Sequence, residues 1–172
     1  MALTQMLAAL VLFACALRPA QALPRAVNLH RLGAAALARH TPIVILFRSH
    51  TCRYCEVVAR EFLDPAAQEP QYRHILFRSV YIDSHKALVN FTGARTTEAG
   101  FAARYHIRLV PDIRFFDGRG REVAHSLLGL STPDFYSAYL SAALHKAMRA
   151  CAQLPAGPPA RHPSYTTKGE HS

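Results

Sequence analysis

Two cysteines three positions apart, Cys52 and Cys55, enclose an Arg-Tyr pair. C-x-x-C spacing is frequent by chance, and the chemical content here comes from position. An apolar β-branched run, Ile43 to Phe47, leads into the pair across the polar break Ser49 to Thr51. Beyond it Cys55, Val58, Ala59 and Phe62 recur at helical spacing, so a helix is expected from about Cys52 to Leu63, stopped or kinked at Asp64-Pro65. A thiol at a helix start meets unpaired backbone N–H groups and the positive end of the dipole, which favour the thiolate. Cys52 is then the exposed nucleophile that attacks a disulfide. Cys55, one turn on and turned toward the core, resolves the mixed disulfide; run backward, the same steps oxidise a dithiol. Arg53, if it points at the sulfur, favours the thiolate further. His50 is readable either as a tuning group or as a polar surface residue.

Other chemistries for these residues are a metal site and inert thiols. His50, Cys52 and Cys55 offer imidazole and thiolate ligands, and His85 or His106 could add a fourth. Structural zinc wants four well-spaced ligands, and no second C-x-x-C exists. Thr51 and Arg53 beside Cys52 argue against a fully buried thiol. Two further cysteines, Cys15 and Cys151, lie far away in the chain, too few for a disulfide framework.

The chain has 172 residues, 51% of them hydrophobic, and a formal charge of +9. That excludes wholesale disorder and allows one domain with a real core. The basic residues are scattered and carry no aromatic-and-basic recognition motif, so a solvated basic surface is expected and no nucleic-acid partner. Residues 1–22 read as a secretory signal. Leu7 to Leu17 is apolar but too short to span a bilayer, and Ala20-Gln21-Ala22 has the small-x-small pattern for cleavage after Ala22. A lipid-modified Cys15 after Leu12-Phe13-Ala14 is the second reading, against which the bulky Phe13 counts. Residues 23–152 form the expected domain, and 153–172, rich in Pro, Gly, Ser and Thr, a disordered tail.

Within the domain a helix is expected over Asn28 to Arg39, with Asn28 as cap, then a doubly buried strand at Ile43 to Phe47. A second strand is expected at Ile75 to Ile82, a loop with some helix at His85 to Arg95, and a helix at Thr96 to Tyr105. Ile113 to Phe116 and Glu122 to Leu128 read as strands joined by the turn Asp117-Gly118-Arg119-Gly120. Thr132-Pro133-Asp134 opens a last helix whose stripe is Phe135, Tyr139, Ala143 and Ala147, with Leu140 and Leu144 beside it. Early alternation of strand and helix implies parallel pairing, and the late tight turn an antiparallel hairpin. The fold class is therefore α/β, a central mixed sheet with helices on both faces.

The sequence resembles the thioredoxin superfamily. The resemblance rests on Ile43 to Phe47 leading into Cys52-Arg53-Tyr54-Cys55; on Tyr81-Ile82-Asp83; on Tyr105-His106-Ile107-Arg108-Leu109-Val110-Pro111; and on Phe115-Phe116-Asp117-Gly118 followed by Gly129 and a terminal helix. It spans about Asn28 to Met148 and is most similar to bacterial periplasmic thioredoxin-like proteins, including the thioredoxin associated with sulfur oxidation. It implies a thioredoxin fold, a cis peptide before Pro111, and a substrate segment that pairs with the Val110 backbone. Departures are visible. The buried Asp of cytosolic thioredoxin, six positions before the first cysteine, is Leu46 here. The usual Trp is Thr51, and Arg53-Tyr54 replaces Gly-Pro. An aromatic before the second cysteine is similar to periplasmic disulfide oxidases and isomerases, which makes Tyr54 a further tuning candidate.

These readings converge on a periplasmic thiol–disulfide oxidoreductase: a monomer without a cofactor, acting on protein thiols and disulfides and kept reduced by a membrane partner. The alternative is a thioredoxin-like module that binds or delivers copper or another soft metal, with a redox-inactive scaffold as a weaker third. Cys151, near the end of the last helix, reads first as an uninvolved thiol, with a third redox role or an intermolecular disulfide as the other readings.

Overall fold

A computed structural model of the chain describes residues 23–130 and 133–154. The expected signal segment, Cys15, Thr132 and all of the expected tail beyond Leu154 lie outside the described residues. The elements in chain order are α1 (Leu29–Ala38), β1 (Ile43–Arg48), α2 (Arg53–Val57), a π-helical stretch (Val58–Leu63), α3 (Asp64–Gln68), β2 (Leu76–Tyr81), β3 (Ala87–Val89), β4 (Arg95–Thr97), α4 (Glu98–Arg104), β5 (Asp112–Phe116), β6 (Leu127–Leu128) and α5 (Pro133–Ala152).

The main sheet has the order β2-β1-β5-β6. β1 pairs parallel with β2 and antiparallel with β5, and β5 antiparallel with β6. β1 is central, and its five apolar residues are buried because both its faces are covered. Val44 and Leu46 face one core with Val58, Leu63, Tyr136, Leu140 and Leu144. Ile43, Ile45 and Phe47 face the other with Leu29, Ala36, Phe101 and Ala102. The expected mixed sheet with a helix layer on each face is what the chain forms.

Four local expectations need correction. Pro65 does not end the helix after Cys52: helical structure continues to Gln68 through the π-helical stretch, where the Asp64 N–H reaches back to the Ala59 carbonyl. That one-residue widening shifts the ladder ahead of Pro65, which sits in the first turn of α3, where its missing N–H costs nothing. His85 to Arg95 holds strand, not helix: β3 and β4 form a hairpin. The Asn90 side chain accepts from the backbone N–H of Thr92 and of Ala94, 3.0 Å each, and Gly93 takes φ +87°.

Glu122 to Leu128 is not one strand. Glu122 bridges Phe116 and Leu127 pairs with Ile113, so a five-residue step faces a three-residue one and two residues loop out. On α5 the buried stripe is Tyr136, Leu140, Leu144, Ala147 and Cys151, whereas Phe135 and Tyr139 are 63% and 53% exposed. Of the expected residues Ala147, Leu140 and Leu144 are buried, while Phe135 and Tyr139 face solvent and Tyr136 takes the inner side. Aromatic character identified the residues but not the side they face.

Candidate active site

Parallel β1 and β2 end together, and antiparallel β5 starts where they end. Arg48 lies opposite Tyr81, and Phe47 opposite Asp112. The segments that follow Arg48 and Tyr81, and the one that precedes Asp112, therefore emerge at one edge of the sheet. They carry Cys52, Asp83 and Pro111.

Cys52 is the N-cap of α2. Its backbone is extended, and its Sγ accepts the Cys55 N–H at 3.1 Å. Cys52 and Cys55 form a disulfide. Cys52 is half-buried and Cys55 fully buried, so one sulfur is offered to solvent and the other is withheld. Sequence spacing anticipated this asymmetry. The helix start supplies an N–H to Cys52, the contact that favours its thiolate once the disulfide opens.

Val110-Pro111 is a cis peptide, as the resemblance implied. Pro111 is buried, Val110 half-buried and Leu109 exposed. The Pro111 carbonyl accepts from Gly129 N–H at 2.8 Å, fastening this loop to the chain beyond β6.

The tuning candidates separate. Arg53 and Tyr54 are both exposed, and among the described residues Arg53 makes no hydrogen bond or ion pair. His50 is fixed. Its backbone N–H and its ring Nδ1 each lie 2.9 Å from an Asp83 carboxylate oxygen, and its ring stacks on Tyr81 at 4.5 Å. Burial pushes the Asp83 carboxyl up, but the His50 N–H and ring outweigh it and hold the carboxyl below its ordinary range. Two guanidiniums, Arg25 and Arg48, lie over the same Tyr81 ring at 4.2 and 5.1 Å. Arg48 also pairs with Glu56, next to Cys55, and that hydrogen bond is the main cause of the lowered Glu56 pKa.

Sequence reasoning missed the roles of Asp83, Tyr81, Glu56 and Arg48. The signal for Asp83 was present: it lies two residues past the end of β2 as His50 lies two past Arg48, so parallel register brings them together. Leu46, where cytosolic thioredoxin has its Asp, is wholly buried in the apolar core.

The metal reading finds no cage. Among the described residues no group of three or more His, Cys, Asp or Glu side chains is gathered for an ion. His85 and His106 are exposed, and the His50 ring is engaged by Asp83.

A half-exposed capping cysteine, a buried partner one turn on and a proline loop at the same sheet edge define the class of thiol–disulfide oxidoreductases with a thioredoxin fold. The family model of the thioredoxin-like domain matches residues 33–144, and the chain belongs to that family. No curated relative matches the chain. Among solved structures it is similar to the thioredoxin Mala s 13 of Malassezia sympodialis, with 20% identity over 62% of this chain and 77% of that one, TM-score 0.45. It is also similar to mitochondrial thioredoxin 3 of Saccharomyces cerevisiae in its oxidized form, with 14% identity over 72% and 93%, TM-score 0.49. Thioredoxin O2 of Arabidopsis thaliana gives 17% over 68% and 93%, TM-score 0.45. Membership rests on the family match and not on these distant likenesses.

Proposed function

We infer that the protein is an exported reductase of protein disulfides, working in the periplasm as a monomer and recharged by a membrane thiol reductase. The observation that carries the exchange chemistry is the unequal exposure of the two sulfurs of one disulfide at a helix start. A donor thiolate from the recharging partner attacks the Cys52–Cys55 bond, and two such steps leave the dithiol. Cys52 thiolate then attacks a substrate disulfide, forming a mixed disulfide and expelling a substrate thiolate. Cys55, deprotonated as it attacks Cys52, closes the internal bond and releases the second substrate thiol. Val110 and Leu109, on the loop beside Pro111, offer backbone and apolar surface to an extended substrate segment.

The reducing direction is supported by what Cys52 lacks. Strong oxidants of this class over-stabilise the thiolate. Here one N–H contacts the sulfur and Arg53 stands in solvent without a partner among the described residues. Export is supported by the leader-like residues 1–22. Among the described residues no helix is long and apolar enough to cross a membrane.

Equilibration of the Cys52–Cys55 couple with glutathione tests the direction. A potential near the thioredoxin value of about −270 mV is expected; one near about −120 mV would make the protein an oxidant.

A further inference from the structure

One buried carboxyl is unused by the exchange site. Asp64 opens α3, is 8% exposed, and its Oδ1 has no hydrogen-bond partner among the described residues. Burial pushes its pKa up, and Glu56 repels it further. Opposing them are the Leu23 backbone N–H, which donates to this carboxyl, and the Arg48 and Arg60 guanidiniums. Both guanidiniums are already paired with Glu56.

Leu23 is firmly placed. It is 8% exposed and belongs to the core that holds Val44 and Leu63. Its carbonyl accepts from Ser79 Oγ at 3.3 Å, and the Pro24 carbonyl from Ser79 N–H at 2.9 Å. These bonds tie Leu23 to β2, and its nitrogen meets the Asp64 carboxyl. The other bond of that nitrogen is the Ala22–Leu23 peptide, the bond marked by the small-x-small pattern.

We propose that Asp64 is a binding site for the α-ammonium group of Leu23, released when an endopeptidase hydrolyses the Ala22–Leu23 bond. Water adds across the amide: its hydroxyl stays on the Ala22 carboxyl, the C–N bond breaks, and the Leu23 nitrogen leaves as an amine that is protonated near neutral pH. No electrons are transferred. One neutral N–H becomes a cation with three donors, enough to serve the orphan Oδ1 as well. Processing thereby turns an under-paired buried carboxylate into half of an ion pair and locks the first residue of the mature chain onto the helix behind the exchange site. The cut itself rests on the export reading; the pairing is tested apart from it.

The full chain, produced with its own leader in an exporting bacterial host, is expected to yield a product that begins at Leu23 by mass spectrometry. A different first residue overturns the cut, and an unprocessed, unexported product overturns the export reading with it. The pairing is read on a fusion whose engineered protease leaves Leu23 first and the chain otherwise complete to Ser172. Cleavage at pH 7 is expected to raise the thermal midpoint by about 2–4 °C. The α-amine is expected to titrate above its ordinary range of about 7.7–8.0. Its folded pKa being raised, the gain is complete below that range and disappears as pH climbs through the folded value. Asp64→Asn should abolish both the gain and the raised titration, while Glu56, Arg48 and Arg60, the other charges facing the carboxyl, are left in place. An unchanged midpoint with an ordinary α-amine overturns the pairing and leaves export standing.

Discussion

At the scale of single residues, the site distinguishes two sulfurs that share one bond by giving them different surroundings. Cys52 has a helix-start N–H and access to solvent; Cys55 has the core. The third described cysteine shows what burial alone does. Cys151 is buried on α5 and its pKa is pushed up to about 12, chiefly by desolvation. After gentle reduction, iodoacetamide at pH 8 is therefore expected to modify Cys52 and leave Cys151 untouched until the protein is unfolded. Mass spectrometry of the alkylated peptides reads this directly, and rapid native labelling of Cys151 would refute it. The uninvolved thiol expected from the sequence has here a physical basis.

His50 was readable two ways because its partner is 33 residues away in sequence, and only strand register joins them. The Asp83 pKa lies below its ordinary 3.8, so the stabilising contribution of this contact is present in full above that value. It fades as pH falls through the lower folded value. The His50 amide resonance is expected to titrate with a midpoint below 3.8, and a midpoint at or above it would show that the carboxylate is not held.

Among the elements, the close contacts are made by backbone, and these were the least legible. The glycines of the turn after β5 read as residues tolerant of positive φ. That holds for Gly120, at φ +81°, but Gly118 is small for another reason. A Cβ on Gly118 would lie 2.3 Å from the Gly33 carbonyl oxygen, and one on Gly33 would lie 2.2 Å from the Gly118 oxygen. α1 thus meets the turn backbone to backbone. Gly33→Ala is expected to cost about 1–3 kcal/mol or more, since the obstacle is backbone and cannot rotate away. Urea unfolding measures it, and an unchanged midpoint would contradict the contact.

The same turn is built by Asp117, fully buried, whose carboxylate accepts the backbone N–H groups of Arg119 and Arg121 and the Arg121 Nε at 2.8–2.9 Å. Asp117→Ala removes the buried acceptor that these three donors share, and a loss of about 1–3 kcal/mol is expected in the same assay. Long, strongly patterned elements such as β1 and α1 were legible to within a residue or so. The β3–β4 hairpin was not, because three-residue strands are too short to show alternation. The interruption before β6 depends on a register that no local pattern encodes.

For the molecule as a whole, the fold class was legible because β1 is apolar on both faces and helical segments alternate with strands, which leaves few other arrangements. The cysteine pair was legible from its place between an apolar strand and a helix, whereas the proline loop beside it was implied only by the family resemblance. What local pattern could not supply was the set of side-chain contacts between elements, Asp83 to His50 and Arg48 to Glu56. Two cores on opposite faces of β1 hold the domain together independently of the disulfide, which closes only a three-residue separation. Its loop-closure contribution is about 2 kcal/mol. Reduction is therefore expected to lower the thermal midpoint by about 4–8 °C while the far-ultraviolet dichroism of the folded state is unchanged. Unfolding on reduction would show that the cores do not suffice.

The most direct measurement is trapping of the mixed disulfide. Cys55→Ser and Cys52→Ser variants of the full chain are reduced, mixed with a protein disulfide and quenched with acid, and the adducts are read by intact mass. The expected result is a stable one-to-one adduct through Cys52 in the Cys55→Ser protein and none in the Cys52→Ser protein. An adduct through Cys55, or no adduct in either variant, would contradict the assignment of Cys52 as the attacking sulfur.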